Sequence, residues 1–398
     1  MSKLIVSDID VKGQRVLTRV DFNVPLENGQ VANDKRMRAA LPTINNILDR
    51  GGRLILMSHL GRPKGQRVSE MSLSPCVPVL EKLIGRPVRF AQECIGPEVE
   101  KAVDSLSSGQ VLLLENLRFH KGETDNDETF SKALASLADV YVNDAFGTAH
   151  RAHASTVGVT KFIAIGAMGF LIEKEITYLG DALKEPERPF VAVLGGAKIS
   201  GKIDVIENLL PKVDRLLVGG GMAFTFVKAK GMQIGSSLLE SDKVELAGSL
   251  LEKGGKKLVL PEDCLSTDRF DFSKREIGKL TESAIDAIPA SHTALDIGPL
   301  SVVRFKGLLK NAKTIVWNGP MGVFEIEATS GGTVEMAKAL AEATKNGATT
   351  IIGGGDSAAA VEKAGLADQM THISTGGGAS LEFLEGKVLP GVAALSDR

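Results

Sequence analysis

Short runs of β-branched residues and leucine recur along the chain, separated by segments long enough for a helix. RVLTRVDF, RLILMSHL, QVLLLENL and DVYVNDAF form a first set that ends near Phe146; PFVAVLGG, RLLVGGG, KLVLPED, TALDIG, TIVWNGP and TTIIGGG form a second that begins at Phe190. Strands alternating with helices predict parallel βαβ units, hence an α/β fold in two halves. Between the halves, GFLIEKEITYLGDALK (169–184) spaces its apolar residues helically, and the two prolines of the following EPERP stop a helix. The pattern therefore predicts one domain over 1–168, a connector helix and hinge over 169–186, and a second domain from 187. A helix is also expected over KRMRAALPTINNILDRG, kinked at Pro42.

Nearly every expected strand ends on polar or glycine residues: Asp21 and Asn23, His59, Asn116 and Arg118, Asn143 and Asp144, then Gly195, Gly219, Asp296, Asn318 and Gly353. Ligands of open α/β sheets bind outside the carboxyl ends of the strands, so the series predicts one rim of a cleft in each half. Four loops of the second half, VLGGAKISGKI, VGGGMAFTF, IIGGGDSAAA and ISTGGGASLEF, run from a strand through glycine into a helix. Bare backbone at a helix start lets unpaired N–H groups meet an anion; the alternative is that glycine only permits tight strand–helix packing. Four such loops together point to a ligand with several phosphates.

Two nucleotide motifs fail on inspection. GGGDSA (353–358) fits GxGxxA, but DQMTHISTGGG lacks the acid a dinucleotide fold places about 20 residues on. GAKISGKI (196–203) has GxxxxGK, yet Ile203 stands where a P-loop needs the Ser or Thr that binds Mg²⁺. What remains there is Lys198 and Lys202, four apart and expected on one helical face. The first half gathers Arg36, His59, Arg62, Arg118 and Arg151 at strand ends or helix starts, with His120, His150 and His153 near by. Several guanidiniums suit a small, doubly anionic substrate. HRAH has no HExxH pattern and no cluster of acids, so hydrogen-bonded loop histidines are expected in place of a metal site.

Composition narrows the class. The 398 residues, 43% apolar and 24% charged, suit a two-domain globular protein, and a net charge of −2 gives no overall attraction to nucleic acid or membrane. The longest oily run, FIAIGAMGFLI, is too short to span a bilayer, and no signal-peptide core follows the first Met, so a cytoplasmic protein is expected. Cys76, Cys94 and Cys264 form no CxxC pair and read as small core residues.

RVDFNVP, SHLGRP, ENLRFH, NDAFGTAHRAH, GGAKISGKI, GGGMAFTF, WNGPMGVFE, GGGDSAA and STGGGASLEFLEGKVLPGV, taken together and in this order, resemble the motifs of the phosphoglycerate kinase family over almost the whole chain. The resemblance implies two doubly wound, Rossmann-like parallel-sheet domains facing a cleft. In it 1–168 binds 3-phosphoglycerate or 1,3-bisphosphoglycerate, 187–378 binds the Mg-nucleotide, and 379–398 returns to the N-terminal domain. It implies reversible in-line transfer between 1,3-bisphosphoglycerate with ADP and 3-phosphoglycerate with ATP, in glycolysis and gluconeogenesis, by a monomer that closes about a hinge. Asp21, Asn23, Arg36, His59, Arg62, Arg118 and Arg151 would hold the glycerate. Lys198, Lys202, Gly219, Gly220, Gly221, Asn318, Glu325, Gly353, Gly354, Gly355, Asp356 and Ser357 would hold the nucleotide, with Asp356 on Mg²⁺. Arg36, Lys198 and the amides of Gly376, Gly377 and Gly378 would surround the moving phosphoryl group. Gly201, where many relatives carry an acid, and Leu300, where a lysine or small polar residue is commoner, depart from the family pattern.

The implied chemistry agrees with the residues. The acceptor is a carboxylate, already ionised at neutral pH, so cations and amides are needed and a general base is not. Three rivals stand beside it: a nicotinamide dehydrogenase, which lacks its acid here; a silent nucleotide-binding scaffold, which would not need Arg36, Lys198 and Asp356 together; and a kinase for another carboxylate such as acetate, which would have little use for so many arginines.

Overall fold

The computed structural model describes residues 2–398, which divide into two compact units: the chain through Thr177 together with Val388–Arg398, and Tyr178–Lys387. Each is built on a six-stranded parallel sheet. In the first unit β1 (Arg15–Arg19), β2 (Arg53–Met57), β3 (Val88–Phe90), β4 (Val111–Leu113), β5 (Val140–Asn143) and β6 (Gly166–Met168) lie in the order β3-β4-β2-β1-β5-β6. In the second, β7 (Phe190–Leu194), β8 (Arg215–Val218), β9 (Leu258–Val259), β10 (Thr314–Asn318), β11 (Thr349–Gly353) and β12 (His372–Ile373) lie in the order β9-β8-β7-β10-β11-β12. Both orders reverse direction once, at β1/β5 and at β7/β10, which is where an open α/β sheet leaves a crevice.

The central strands are buried on both faces, as continuous apolar runs require. Trp317 at the centre of β10 is fully enclosed, and its indole N–H donates to Gly319 O at 2.7 Å. Within these two sheets β3, β6 and β12 escaped the sequence reading; they have two or three residues each, too few to show a period. TALDIG was expected among the parallel strands. Thr293–Ile297 instead joins Asp263–Thr267 and Thr281–Ala284 in a separate antiparallel sheet.

Helix α1 (Lys35–Asp49) buries Met37, Ala40, Ile44, Ile47 and Leu48 and runs continuously through Pro42, where a kink was expected. Pro42 is on the exposed side, so the carbonyl of Arg38 that loses its donor faces water. The connector α2 (Phe170–Lys184) starts in the first unit, where Asp144 Oδ1 accepts the amides of Leu171 (2.8 Å) and Ile172 (3.3 Å). Its later turns belong to the second unit, where Tyr178 stacks on His372. The segment after Lys387 completes the first unit: Lys3 Nζ donates to Ala393 O and Leu395 O, and Asn143 Nδ2 to Gly391 O.

Candidate active site

In the first unit the strand ends hold a crowd of cations. Arg36, in the first turn of α1, pairs with Asp21 at 2.7 Å, the residue two beyond the end of β1. Asn23 Oδ1 accepts the amide of Gly61 at 2.9 Å, and Arg118 Nη1 donates to the carbonyl of the same glycine at 2.9 Å, so one turn is clasped from both sides. His59 is buried with Nδ1 2.9 Å from Arg19 Nη2; burial, then Arg19, Arg118 and Arg36, hold its ring well below the ordinary histidine range, hence neutral. Arg118 is pushed down to about 10 by burial and by Arg19 and Arg151, and its Nε has no protein partner. His153, pushed down to about 4 by burial and these same arginines, is neutral too. Burial is the main cause at Arg118, and the neighbouring guanidiniums outweigh the opposing pull of Glu123 and Asp21. Arg62 and Arg151 are exposed beside this group, and Arg151 Nε donates to His150 Nε2 at 3.1 Å.

Sequence reasoning missed the layer beneath. Arg19 is wholly buried and donates to Ser155 Oγ at 2.9 Å; Ser155 Oγ in turn donates to Glu123 Oε1 at 2.7 Å, an equally buried carboxylate. This relay gives one buried guanidinium a counter-charge without spending Asp21. Arg19 is the last residue of β1, two before Asp21, and so lies at the strand end the sequence already marked; Ser155 and Glu123 have no such signal.

In the second unit the crevice is lined by backbone. Gly195 sends its amide to Asn318 O and Gly196 sends its own to Pro320 O, while Gly220 N–H donates to Met321 O. A Cβ on Gly195 would meet Pro320 O at 2.1 Å, one on Gly319 would meet Gly195 O at 2.2 Å, and one on Gly220 would meet Gly196 N at 2.6 Å. These glycines are therefore required by packing of loop on loop. Gly353 and Gly354 are filled by Asn318, whose Nδ2 would lie 3.1–3.2 Å from an added Cβ. Gly355 is different: nothing lies within 4 Å of where its side chain would be.

Asn318 also accepts Lys202 Nζ, and Lys202 is pushed down to about 8 by burial against the raising pull of Asp356. Lys198 and Lys202 do not share a helical face as expected. Residues 198–202 form a turn, and the helix begins at Ile203 with Lys202 as its N-cap; Lys198 is exposed. Helix α3 (Gly355–Lys363) begins within the glycine run, which places the exposed Asp356 in its first turn. Ser357 is turned inward, its Oγ accepting the Gly319 amide at 2.6 Å, so its hydroxyl braces the loop. Helix α4 (Gly377–Leu384) has Gly376 as N-cap, whose amide already donates to Ser374 Oγ at 3.2 Å. Beside these loops is a cavity of about 550 Å³ whose walls include Phe224, Leu238, Phe270, Phe272 and Ile285, with Glu325 and Asp356 among its polar lining.

The family profile for phosphoglycerate kinase matches residues 6–387. A phosphoglycerate kinase of Chloroherpeton thalassium is 59% identical over the full length of both chains, and one of Clostridium tetani is 54% identical over all of this chain and 98% of its own. Among solved structures, phosphoglycerate kinase from Coxiella burnetii superposes with a TM-score of 0.88 at 42% identity and covers 98% of each chain. The chain belongs to the phosphoglycerate kinase family. It is a transferase of glycolysis that moves a phosphoryl group reversibly between 1,3-bisphosphoglycerate with ADP and 3-phosphoglycerate with ATP. The two departures from the kinase pattern lie in the open: Gly201 has free space where a side chain would be, and Leu300 is 63% exposed at a helix start.

Proposed function

We propose that the first unit binds 3-phosphoglycerate through Asp21, Asn23, Arg36, His59, Arg62, Arg118 and Arg151, and that the second binds the nucleotide through Lys198, Lys202, Gly219–Gly221, Asn318, Glu325, Gly353–Gly355, Asp356 and Ser357. The observation that carries the reading is the group of guanidiniums at Arg36, Arg118 and Arg151, with Arg118 Nε left without a protein partner, which a substrate with a phosphate and a carboxylate would engage. The apolar cavity of the second unit suits a flat base, with Glu325 for the ribose and Gly355 open to phosphate. Ser357 then serves through its backbone amide.

Asp356 fits Mg²⁺: it is an exposed hard oxygen beside Lys202, and Mg²⁺ commonly takes one or two carboxylates with the rest of its shell from phosphates and water. When bound, the ion neutralises charge on the nucleotide's phosphate oxygens. In the ATP-consuming direction a carboxylate oxygen of 3-phosphoglycerate forms a bond to the γ-phosphorus while the bond to the ADP oxygen breaks, in line; no proton moves. Arg36, Lys198 and the amides of Gly377 and Gly378 would neutralise the charge on the moving group, while Gly376 shapes the turn. Both ligands must reach contact distance and exclude water, so closure about α2 and the STGGG segment belongs to the reading, with compaction in solution scattering expected when both ligands are bound.

We read the enzyme as a cytoplasmic monomer with small-molecule partners only. All three cysteines are free and buried, which suits a reducing compartment, and among the described residues no helix is long and apolar enough to cross a membrane. The test is a coupled assay with MgATP and 3-phosphoglycerate, the acyl phosphate drained by an NADH-consuming dehydrogenase and acetate as control acceptor. Signal with 3-phosphoglycerate alone, lost without Mg²⁺ and in Asp356→Ala, supports the assignment; full signal from Asp356→Ala removes that residue from the metal.

A further inference from the structure

Glu93, Cys94 and His120 have no part in the proposed substrate or nucleotide sites. The loop after β3 supplies the first two, and the turn that follows Arg118 supplies the third. A carboxylate oxygen, a sulfur and a ring nitrogen, one from each, lie within 4.8 Å of one another, and Glu93 Oε2 is 2.9 Å from His120 Nε2. Cys94 forms the floor at 1% exposure, while the side chains of Glu93 and His120 remain 44% and 33% exposed and leave the group accessible to an ion from solvent. The donors are held in place. Ala91 N–H donates to Leu113 O, His120 N–H to Leu117 O, and the His120 ring packs on Phe130 with centroids 5.3 Å apart.

Glu93 also pairs with Arg67, a competitor for the same carboxylate. Arg67, however, keeps other partners: it donates to Gln92 O at 2.8 Å, lies over the Phe119 ring at 5.3 Å and is 3.9 Å from Glu115. Turning Glu93 toward an ion would not strand it.

We infer that Glu93, Cys94 and His120 form a binding site for a borderline-soft divalent cation, Zn²⁺ by preference, with water in the fourth position. Sulfur, imidazole nitrogen and carboxylate oxygen together are the donor set of zinc, and tetrahedral spacing needs the Glu93–His120 pair to open slightly while wider separations to Cys94 close. The step balances simply: the cation bonds to Cys94 Sγ as the thiol proton leaves to solvent, with His120 neutral and Glu93 ionised. The same donors discriminate against Mg²⁺, which demands oxygen. The ion would also pin the turn that carries Arg118, two residues before His120.

Titration of the metal-free full-length protein with Co²⁺ tests the site. One equivalent is expected to bind with a thiolate-to-cobalt charge-transfer band in the near ultraviolet, to be displaced by Zn²⁺ and left in place by excess Mg²⁺. Cys94→Ser abolishes the band, whereas Cys76→Ala and Cys264→Ala, at the other buried thiols, keep it. His120→Gln, at a part-exposed side chain, weakens Co²⁺ binding at least about tenfold. Absence of the band in the native protein, its survival in Cys94→Ser, or unchanged affinity in His120→Gln would each overturn the assignment; if Cys94→Ser does not fold, the His120→Gln result decides.

Discussion

The two units present opposite surfaces to an anion. The first presents side chains: Arg36 at a helix start with Arg118 and Arg151 in the connections that follow strands, over a buried Arg19 linked through Ser155 to Glu123, and on the proposed reading these would receive the glycerate. The second presents backbone: glycine loops folded against one another at the β7/β10 crevice, one open glycine, and helix starts, which on the same reading would receive the nucleotide. Side-chain charge is strong and costs stability when the ligand is gone, because the guanidiniums repel. Backbone donors cost little in the empty state, but they demand close packing that tolerates no added atom.

Substitutions can break this comparison. The largest effect is expected for Arg36→Ala, which removes a cation from the moving phosphoryl group. By analogy with arginine fingers, kcat in the coupled assay should fall by about 10³-fold or more, and near-normal turnover would take Arg36 out of the chemistry. Next comes a pair of glycines in the second unit. Gly195→Ala places a Cβ 2.1 Å from Pro320 O and should lower stability by roughly 1–3 kcal/mol in chemical denaturation, whereas Gly355→Ala meets nothing and should leave stability within about 0.5 kcal/mol while raising KM for the nucleotide. Equal stability loss in both would mean that Gly355 too is held by packing.

A smaller effect sharpens the cost of side-chain charge. Arg118→Gln should leave the empty protein as stable as before or more so, yet reduce the rise in thermal midpoint that 3-phosphoglycerate gives the parent, an effect worth about 2.7 kcal/mol when ligand exceeds its Kd a hundredfold. An unchanged ligand-induced shift would separate Arg118 from the substrate.

The smallest is a pH effect. Burial pushes the Asp144 carboxyl up to about 7, against the lowering pull of Thr43 and the amides of Ile172 and Leu171. Its folded pKa thus exceeds the unfolded value of about 3.9, so the folded state holds the extra proton, and the stability this contributes declines as pH rises from about 4 to about 7 and is level above. Asp144→Asn lacks that decline, so denaturation at about pH 5 and about pH 8 should show the variant gaining on the parent at the higher pH. Parallel slopes would mean that Asp144 is ionised in the fold. Asp296 in the second unit, also pushed to about 7 by burial against the Gly332 and Ile297 amides, makes the contrast a test of position and not of mechanism.

Much of this was legible beforehand, and the gaps have physical causes. Long buried strands announce themselves as apolar runs, and their polar ends marked Asp21, His59, Arg118 and Asn318. Edge strands of two or three residues, such as His372–Ile373, have no period to detect. The glycine runs looked alike as letters; only coordinates separate Gly195, filled by its neighbours, from Gly355, open to a ligand. Lys198 and Lys202 invited a helical reading from spacing alone, but the glycine turn delays the helix to Ile203. Acids reach the histidines from distant positions that no local motif shows: Glu123 lies 3.8 Å from His153 of HRAH, and Glu93 reaches His120 across 27 positions of sequence.

The return of Val388–Arg398 to the first unit has a consequence for the protein's birth on the ribosome. Lys3 cannot find Ala393 and Leu395, nor Asn143 find Gly391, until all of Tyr178–Lys387 has been made. At about 5–20 residues per second that is a wait of roughly 10–40 s, during which the unit synthesised first stays unfinished while the one synthesised second can close. A nick or early stop just beyond Lys387 would therefore harm the half of the molecule farthest away in sequence.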